Sequence, residues 1–190
     1  NLDTNFRKYL KKNCPDILIN CSYPKTENWS KNNYSEINYY DYKKNVNIHL
    51  NSYAWIAKLT ANEMKRKKIK GNIVFLSSIY GLVGQNINVY KNTKLKENMS
   101  YAIIKGGINT LTKSMASYYG NYGIRVNALC AGGVYDNQSK LFIKNYKNLV
   151  PLKRLASAEE IANSTVFLCS NSASYITGSL LLVDGGWTSI

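Results

Sequence analysis

The sequence is short of acid. Its 190 residues hold 11 Asp and Glu against 25 Lys and Arg, a formal charge of +14 at neutral pH. It has one His, three Pro and four Cys. With a single His and no C-x-x-C pair, no Cys/His set is spaced to hold a metal. Cys14, Cys21, Cys130 and Cys169 are far apart. They read as isolated structural thiols in a reducing compartment, not as a disulfide framework. No apolar run approaches the roughly 18 residues of a membrane span. The opening Asn1-Leu2-Asp3-Thr4 lacks the basic and apolar parts of a secretory signal, so a cytoplasmic setting is expected. It also lacks a Met, and the chain is expected to begin partway through a protein. No RNP-type motif is present, and Lys is scattered among Asn and Tyr. The tightest basic cluster, Lys65-Arg66-Lys67-Lys68 with Lys70, reads as a solvated helix end, where cations oppose the helix dipole. Neither nucleic acid nor a membrane is therefore the expected partner of the charge.

What is there is a folded chain: 45% of residues are hydrophobic, too many for a disordered one. Apolar runs alternate with amphipathic segments. Helices are expected over 5–13, 42–66, 100–119, 138–147 and from Ser157 to about 170, the last opened by the capping box of Ser157 and Glu160. Between them, strands are expected at Ile17–Cys21, Ile73–Ser78, Ile124–Leu129 and Leu180–Val183. Residues 81–98 are polar and irregular. Strands separated by helices imply a parallel sheet between helical layers, with ligands beyond the carboxyl ends of the strands. Asn20, Ser78 and the Ala131-Gly132-Gly133 turn stand at those ends.

Tyr101 and Lys105 fall at i and i+4, on one helix face. A free phenol has a pKa of about 10 and is a poor base near neutrality. A neighbouring ammonium favours the phenolate and fits such a Tyr for proton transfer. In a chain with 16 Tyr, the pair alone equally describes surface residues. Its context adds weight. Ser78 ends the preceding strand, and Gly106-Gly107 removes side chains beside the Lys.

These residues and their order resemble the short-chain dehydrogenase/reductase family over nearly the whole chain. Asp16-Ile-Leu-Ile-Asn20-Cys-Ser-Tyr23 stands where the family has D-x-L-V-N-N-A-G. Gly71 to Ser78 is similar to the strand carrying the family's catalytic Ser. Ile124-Arg-Val-Asn127 with Cys130-Ala-Gly-Gly133 is similar to its I-R-V-N…P-G turn, and Val183-Asp-Gly-Gly186 to its C-terminal signature. The resemblance implies an α/β, Rossmann-like, doubly wound parallel sheet and an NAD- or NADP-dependent oxidoreductase. Tyr101 would be the acid/base. Lys105 would bind the nicotinamide ribose and lower the Tyr101 pKa. Ser78 would polarise the substrate oxygen. Asn20 would line the cofactor cleft with Tyr101 and Lys105, and Gly132, Gly133 and Val134 would lie by the nicotinamide.

The chain departs from that pattern in four places. No Gly-rich fingerprint precedes Asp16, so the family's first β-α-β-α-β unit, which holds the pyrophosphate, is absent from these residues. Residues 1–190 then read as one partial domain with the catalytic half, inactive if truncated, whose first strand exposes an edge. His49 takes the position of the family's catalytic Asn, either in a proton relay or as a helix His with a local partner. Tyr101 follows Ser78 by 23 positions, longer than is usual, and the insert would carry Tyr90, Asn92 and Thr93 to a substrate or lie as a solvated loop. Ala131 replaces the usual Pro and is expected to loosen the turn.

The run from Ser78 to Gly84, then Tyr90, Asn92-Thr93, Tyr101 to Gly107, and Gly185-Gly-Trp187-Thr188 resemble a subgroup of oxidoreductases of legionaminic and other nonulosonic acids. That subgroup is linked to flagellin or surface-glycan modification. It implies a small-molecule sugar substrate: a hydroxyl or keto group of an amino-sugar or nucleotide-sugar precursor. The alternatives are a 3-oxoacyl-carrier reductase and a non-catalytic remnant. Relatives of this kind pair their long helices between subunits. A homodimer or homotetramer is expected, with Tyr53, Trp55, Leu59 and Tyr118 as contact candidates; core packing explains some of them equally well.

Overall fold

The computed structural model describes residues 2–190. Its elements alternate as α1 (Leu2–Lys12), β1 (Ile17–Asn20), α2 (Tyr39–Arg66), β2 (Asn72–Ser78), α3 (Met99–Tyr119), β3 (Arg125–Ala131), α4 (Lys140–Leu149), α5 (Ala158–Cys169) and β4 (Leu180–Val183). The four strands form one parallel sheet in the order β1-β2-β3-β4. Register sets Asn20 beside Phe75, Ser78 beside Ala131, and Ala131 beside Val183. The polar residues at the strand ends are thereby brought to one edge of the sheet.

Helices α2 and α3 cover one face. Tyr53, Ala57, Phe75, Ile104, Ile108 and Val126 form the main core there, at helical spacing from the helices and alternate positions from the strands. On the other face, Leu168 of α5 meets Val74 and Leu129. A third cluster, Ile79, Val89, Tyr146, Val150, Leu155 and Trp187, lies beyond the strand ends and ties α4 to the segment after β2. Helix α2 begins at Asn38, whose side chain accepts from the Asp41 N–H, and ends in the basic run at Lys67, the C-cap.

Among the described residues β1 pairs with β2 alone. Leu18 turns toward the α2–α3 core. Ile17 and Ile19 turn the other way, toward the face where α5 packs on β2 and β3. They are 44% and 46% exposed. β1 is thus an exposed edge of the sheet.

Two sequence expectations are corrected. Tyr53 and Leu59 are buried within the chain itself, while Trp55 and Tyr118 are exposed. Tyr53 also donates to the carbonyls of Ser22 and Leu76, bridging the ends of β1 and β2. Ala131 does not loosen its turn: it completes the β3 ladder, and the next N–H, of Gly132, donates to Val183 O at 2.9 Å.

Candidate active site

The site is built where β2, α3 and the loop after β1 meet. Ser78 is the last residue of β2, and its hydroxyl accepts the Tyr80 N–H at 3.1 Å, fixing the turn that follows. That turn runs tightly against α3. A Cβ on Gly81 would stand 2.6 Å from the Lys105 carbonyl oxygen, so only glycine fits. Tyr101 lies in the first turn of α3, which Asn98 caps by accepting the Tyr101 N–H at 2.8 Å.

Burial raises the Tyr101 pKa, and the nearby Ser78 hydroxyl only partly opposes it. The net shift is upward, against the lowering by Lys105 that the resemblance implies. The Lys105 ammonium donates to Leu76 O at 2.8 Å. It lies 5.5 Å from the ring centres of Tyr53 and Tyr101 and 6.0 Å from that of Tyr23. Enclosure by three rings removes water, and burial brings its pKa down to about 8.

His49 is fully buried, and neither ring nitrogen has a hydrogen-bond partner among the described residues. Burial, and next the Lys105 charge, push its pKa down to about 4, so it is a neutral imidazole. Tyr23 and Tyr53 each stand 5.4 Å from it, ring centre to ring centre. Asn20 accepts from the Ser22 N–H and hydroxyl, leaving its buried amide NH2 unpaired.

Gly133 donates its N–H to the Tyr146 hydroxyl at 2.6 Å, and a Cβ there would overlap the Tyr146 ring at 2.6 Å. The next residue, Val134, forms an isolated bridge with Ala156. Tyr90 packs on Phe142 in the third cluster. Asn92 holds a left-handed turn at φ 60°, and Thr93 Oγ1 bonds Tyr90 O, Leu95 O and the Leu95 N–H. The structure therefore gathers Ser78, Tyr101 and Lys105, with His49 beside Lys105. It uses the hydroxyl of Thr93 inside its own loop.

Sequence reasoning missed the segment 21–38. It closes over the start of α3: Asn98 Nδ2 donates to Trp29 O at 3.2 Å, and the Met99 N–H donates to Asn32 O at 2.8 Å. Gln85 joins it to the insert through both backbone groups of Asn98. Lys96 pairs with Glu36 at 2.6 Å. The one signal was Tyr23, an aromatic where the matching family pattern has glycine.

A parallel sheet with helices on both faces, with polar side chains gathered beyond its carboxyl ends, is the frame of a Rossmann-type fold. A family profile described as enoyl-(acyl carrier protein) reductase matches residues 11–188. The chain is 36% identical over 186 residues to the post-translational flagellin modification protein A of Campylobacter coli, covering 98% of this chain and 71% of that protein. It is 30% identical over 158 residues to glucose 1-dehydrogenase 2 of Bacillus subtilis, covering 80% and 57%. A short-chain dehydrogenase of Leptospira borgpetersenii, solved with bound NAD+, superposes with a TM-score of 0.87 at 33% identity, covering 98% of this chain and 70% of that one. The chain belongs to the short-chain dehydrogenase/reductase family, whose members are oxidoreductase enzymes. It spans between about half and three-quarters of the length of these relatives.

Proposed function

We propose that residues 1–190 are a partial domain carrying the catalytic half of an NAD- or NADP-dependent oxidoreductase. Its substrate is an amino-sugar or nucleotide-sugar precursor in surface-glycan biosynthesis. The convergence of Ser78, Tyr101 and Lys105 carries the oxidoreductase reading. Similarity to a flagellin modification protein and to a sugar dehydrogenase supports the substrate class.

The residues present fit the ribose end of a nicotinamide cofactor. Asn20 has a buried donor without a partner, and Lys105 donates to a single carbonyl, leaving further protons of its ammonium for hydroxyls. The cofactor supplies or accepts the hydride at the substrate carbon. In reduction, Tyr101 passes its phenolic proton to the carbonyl oxygen as that oxygen becomes a hydroxyl; in oxidation the proton returns to Tyr101. Ser78 holds the same oxygen. Lys105, close to Tyr101, favours the phenolate once the proton has left. His49 holds a water beside Lys105 through its open ring nitrogens. Gly132, Gly133 and Val134 would line the site of a bound nicotinamide, and Tyr90, Asn92 and Thr93 would border the substrate. α2 and α3 present Trp55 and Tyr118 to a second subunit in a homodimer or homotetramer. The setting is the cytoplasm.

A second reading, reduction of a 3-oxoacyl group on a carrier, is favoured by the matching family profile. The protein, expressed with whatever coding sequence lies in frame ahead of Asn1, is assayed for NADH and NADPH oxidation with keto sugars and with an acetoacetyl thioester. Turnover of a keto sugar alone is expected. Turnover of the thioester alone selects the second reading, and none at all by a folded protein selects a non-catalytic chain. Residues 1–190 alone are expected to bind NAD+ and NADP+ weakly; micromolar affinity would contradict their being a partial domain.

A further inference from the structure

We infer that Tyr23 and Trp29 form a wall that stacks on the ring of an anionic pyranose; the inference deepens the carbohydrate reading above and rests on it. Tyr23 is edge-on to Trp29, His49 and Tyr101, with ring centres 5.4, 5.4 and 5.8 Å away. Trp29 stands 6.5 Å from Tyr101. Yet Tyr23 is 42% exposed and, like Trp29, belongs to none of the apolar cores. An aromatic surface is thus held open to solvent directly beside the phenol that handles the proton.

The wall is fixed in advance. The Trp29 carbonyl is tied to Asn98, and Asn98 to Gln85 and to the first turn of α3. Such a surface loses little conformational freedom on binding. The C–H face of a pyranose is flat and apolar and covers an aromatic ring without stranding its hydroxyls, which point outward around the rim. The exposed Lys25 ammonium lies over the Tyr23 ring, 5.1 Å from its centre; swung to the rim by a stacked sugar, it would pair with a carboxylate or phosphate on that sugar. Glycine, the family's residue at this position, would provide no stacking surface.

Saturation-transfer NMR on this chain, with D-glucuronate as the cyclic anion and D-gluconate as its open-chain counterpart, tests the wall. Saturation of the glucuronate ring protons is expected, with a much weaker gluconate signal. Tyr23→Gly should reduce the glucuronate signal about tenfold, and Tyr23→Phe should keep it. Trp29→Ala should also weaken it, which separates stacking from a local change in the Tyr23 loop. An undiminished signal in Tyr23→Gly, or no glucuronate signal in the unsubstituted chain, overturns the inference. Hydride transfer to keto sugars without stacking would sink the wall alone. Stacking without hydride transfer would sink the enzymatic reading and leave the wall standing.

Discussion

Tyr23 stands edge-on to Tyr101, with ring centres 5.8 Å apart and planes at 76°. The contact joins the end of β1 to the start of α3 across the mouth of the site. One ring belongs to the first turn of α3. The other belongs to a loop that no periodicity marks. The Tyr101 ring is thus flanked by the loop after β1 as well as by its own helix.

Asn98 holds that enclosure together. Its side chain caps α3 and reaches Trp29 O, while its backbone N–H and C=O bond Gln85. Asn98→Ala is expected to lower stability by about 1–2 kcal/mol, mainly through the lost cap. Hydrogen exchange should quicken in residues 28–32 and at the start of α3. Asn98→Asp should keep the cap and restore most of the stability. Denaturant midpoints and exchange rates of the three proteins check this.

Gly133 and Tyr146 lock α4 to the end of β3. Gly133→Ala would push a methyl into the Tyr146 ring. It should cost about 1–3 kcal/mol, as overpacking does. Tyr146→Phe keeps the stack on Trp187, 4.7 Å between ring centres, but removes the acceptor of the Gly133 N–H. Its expected cost is about 1 kcal/mol. Equal stability of Gly133→Ala and the unsubstituted chain would show that α4 moves freely.

His49 links stability to pH. Its pKa in the folded chain is about 4, below the ordinary 6.5. The unfolded chain therefore binds more protons in that window. The contribution is fully present above pH 6.5 and is lost progressively as pH falls toward 4. It amounts to about 3 kcal/mol at most. His49→Gln should remove this part of the pH dependence, so urea midpoints of the two proteins should converge as pH falls. Parallel curves would contradict the depressed pKa.

Much of the fold was legible in the sequence. Leu180–Val183 has the expected bounds, and α3 begins one residue before its expected start. Strands between helices leave few alternatives to parallel pairing, and Tyr101, Lys105 and Ser78 are placed by spacing and strand ends. What was not legible depends on contacts between distant segments. Tyr53 and Leu59 could face a subunit or the core, because helical spacing does not say which side of a helix the sheet lies on. The bonds of Thr93 within its loop follow from a turn, not from a pattern. The fall of the Lys105 pKa to about 8 follows from burial, which spacing does not reveal. The enclosure of Lys105 by Tyr23, Tyr53 and Tyr101 needs three elements to meet.

The central claim is that Tyr101 transfers the proton that accompanies hydride movement at the substrate carbon. The most direct test follows deuterium from the C4-labelled reduced cofactor into the carbinol carbon of a keto sugar. The protein is expressed with whatever coding sequence lies in frame ahead of Asn1, as itself and as Tyr101→Phe. Deuterium incorporation is expected in the first and a loss of about 10²–10⁴ in rate in the second, with thermal stability little changed. Equal incorporation by both proteins would contradict the assignment of Tyr101.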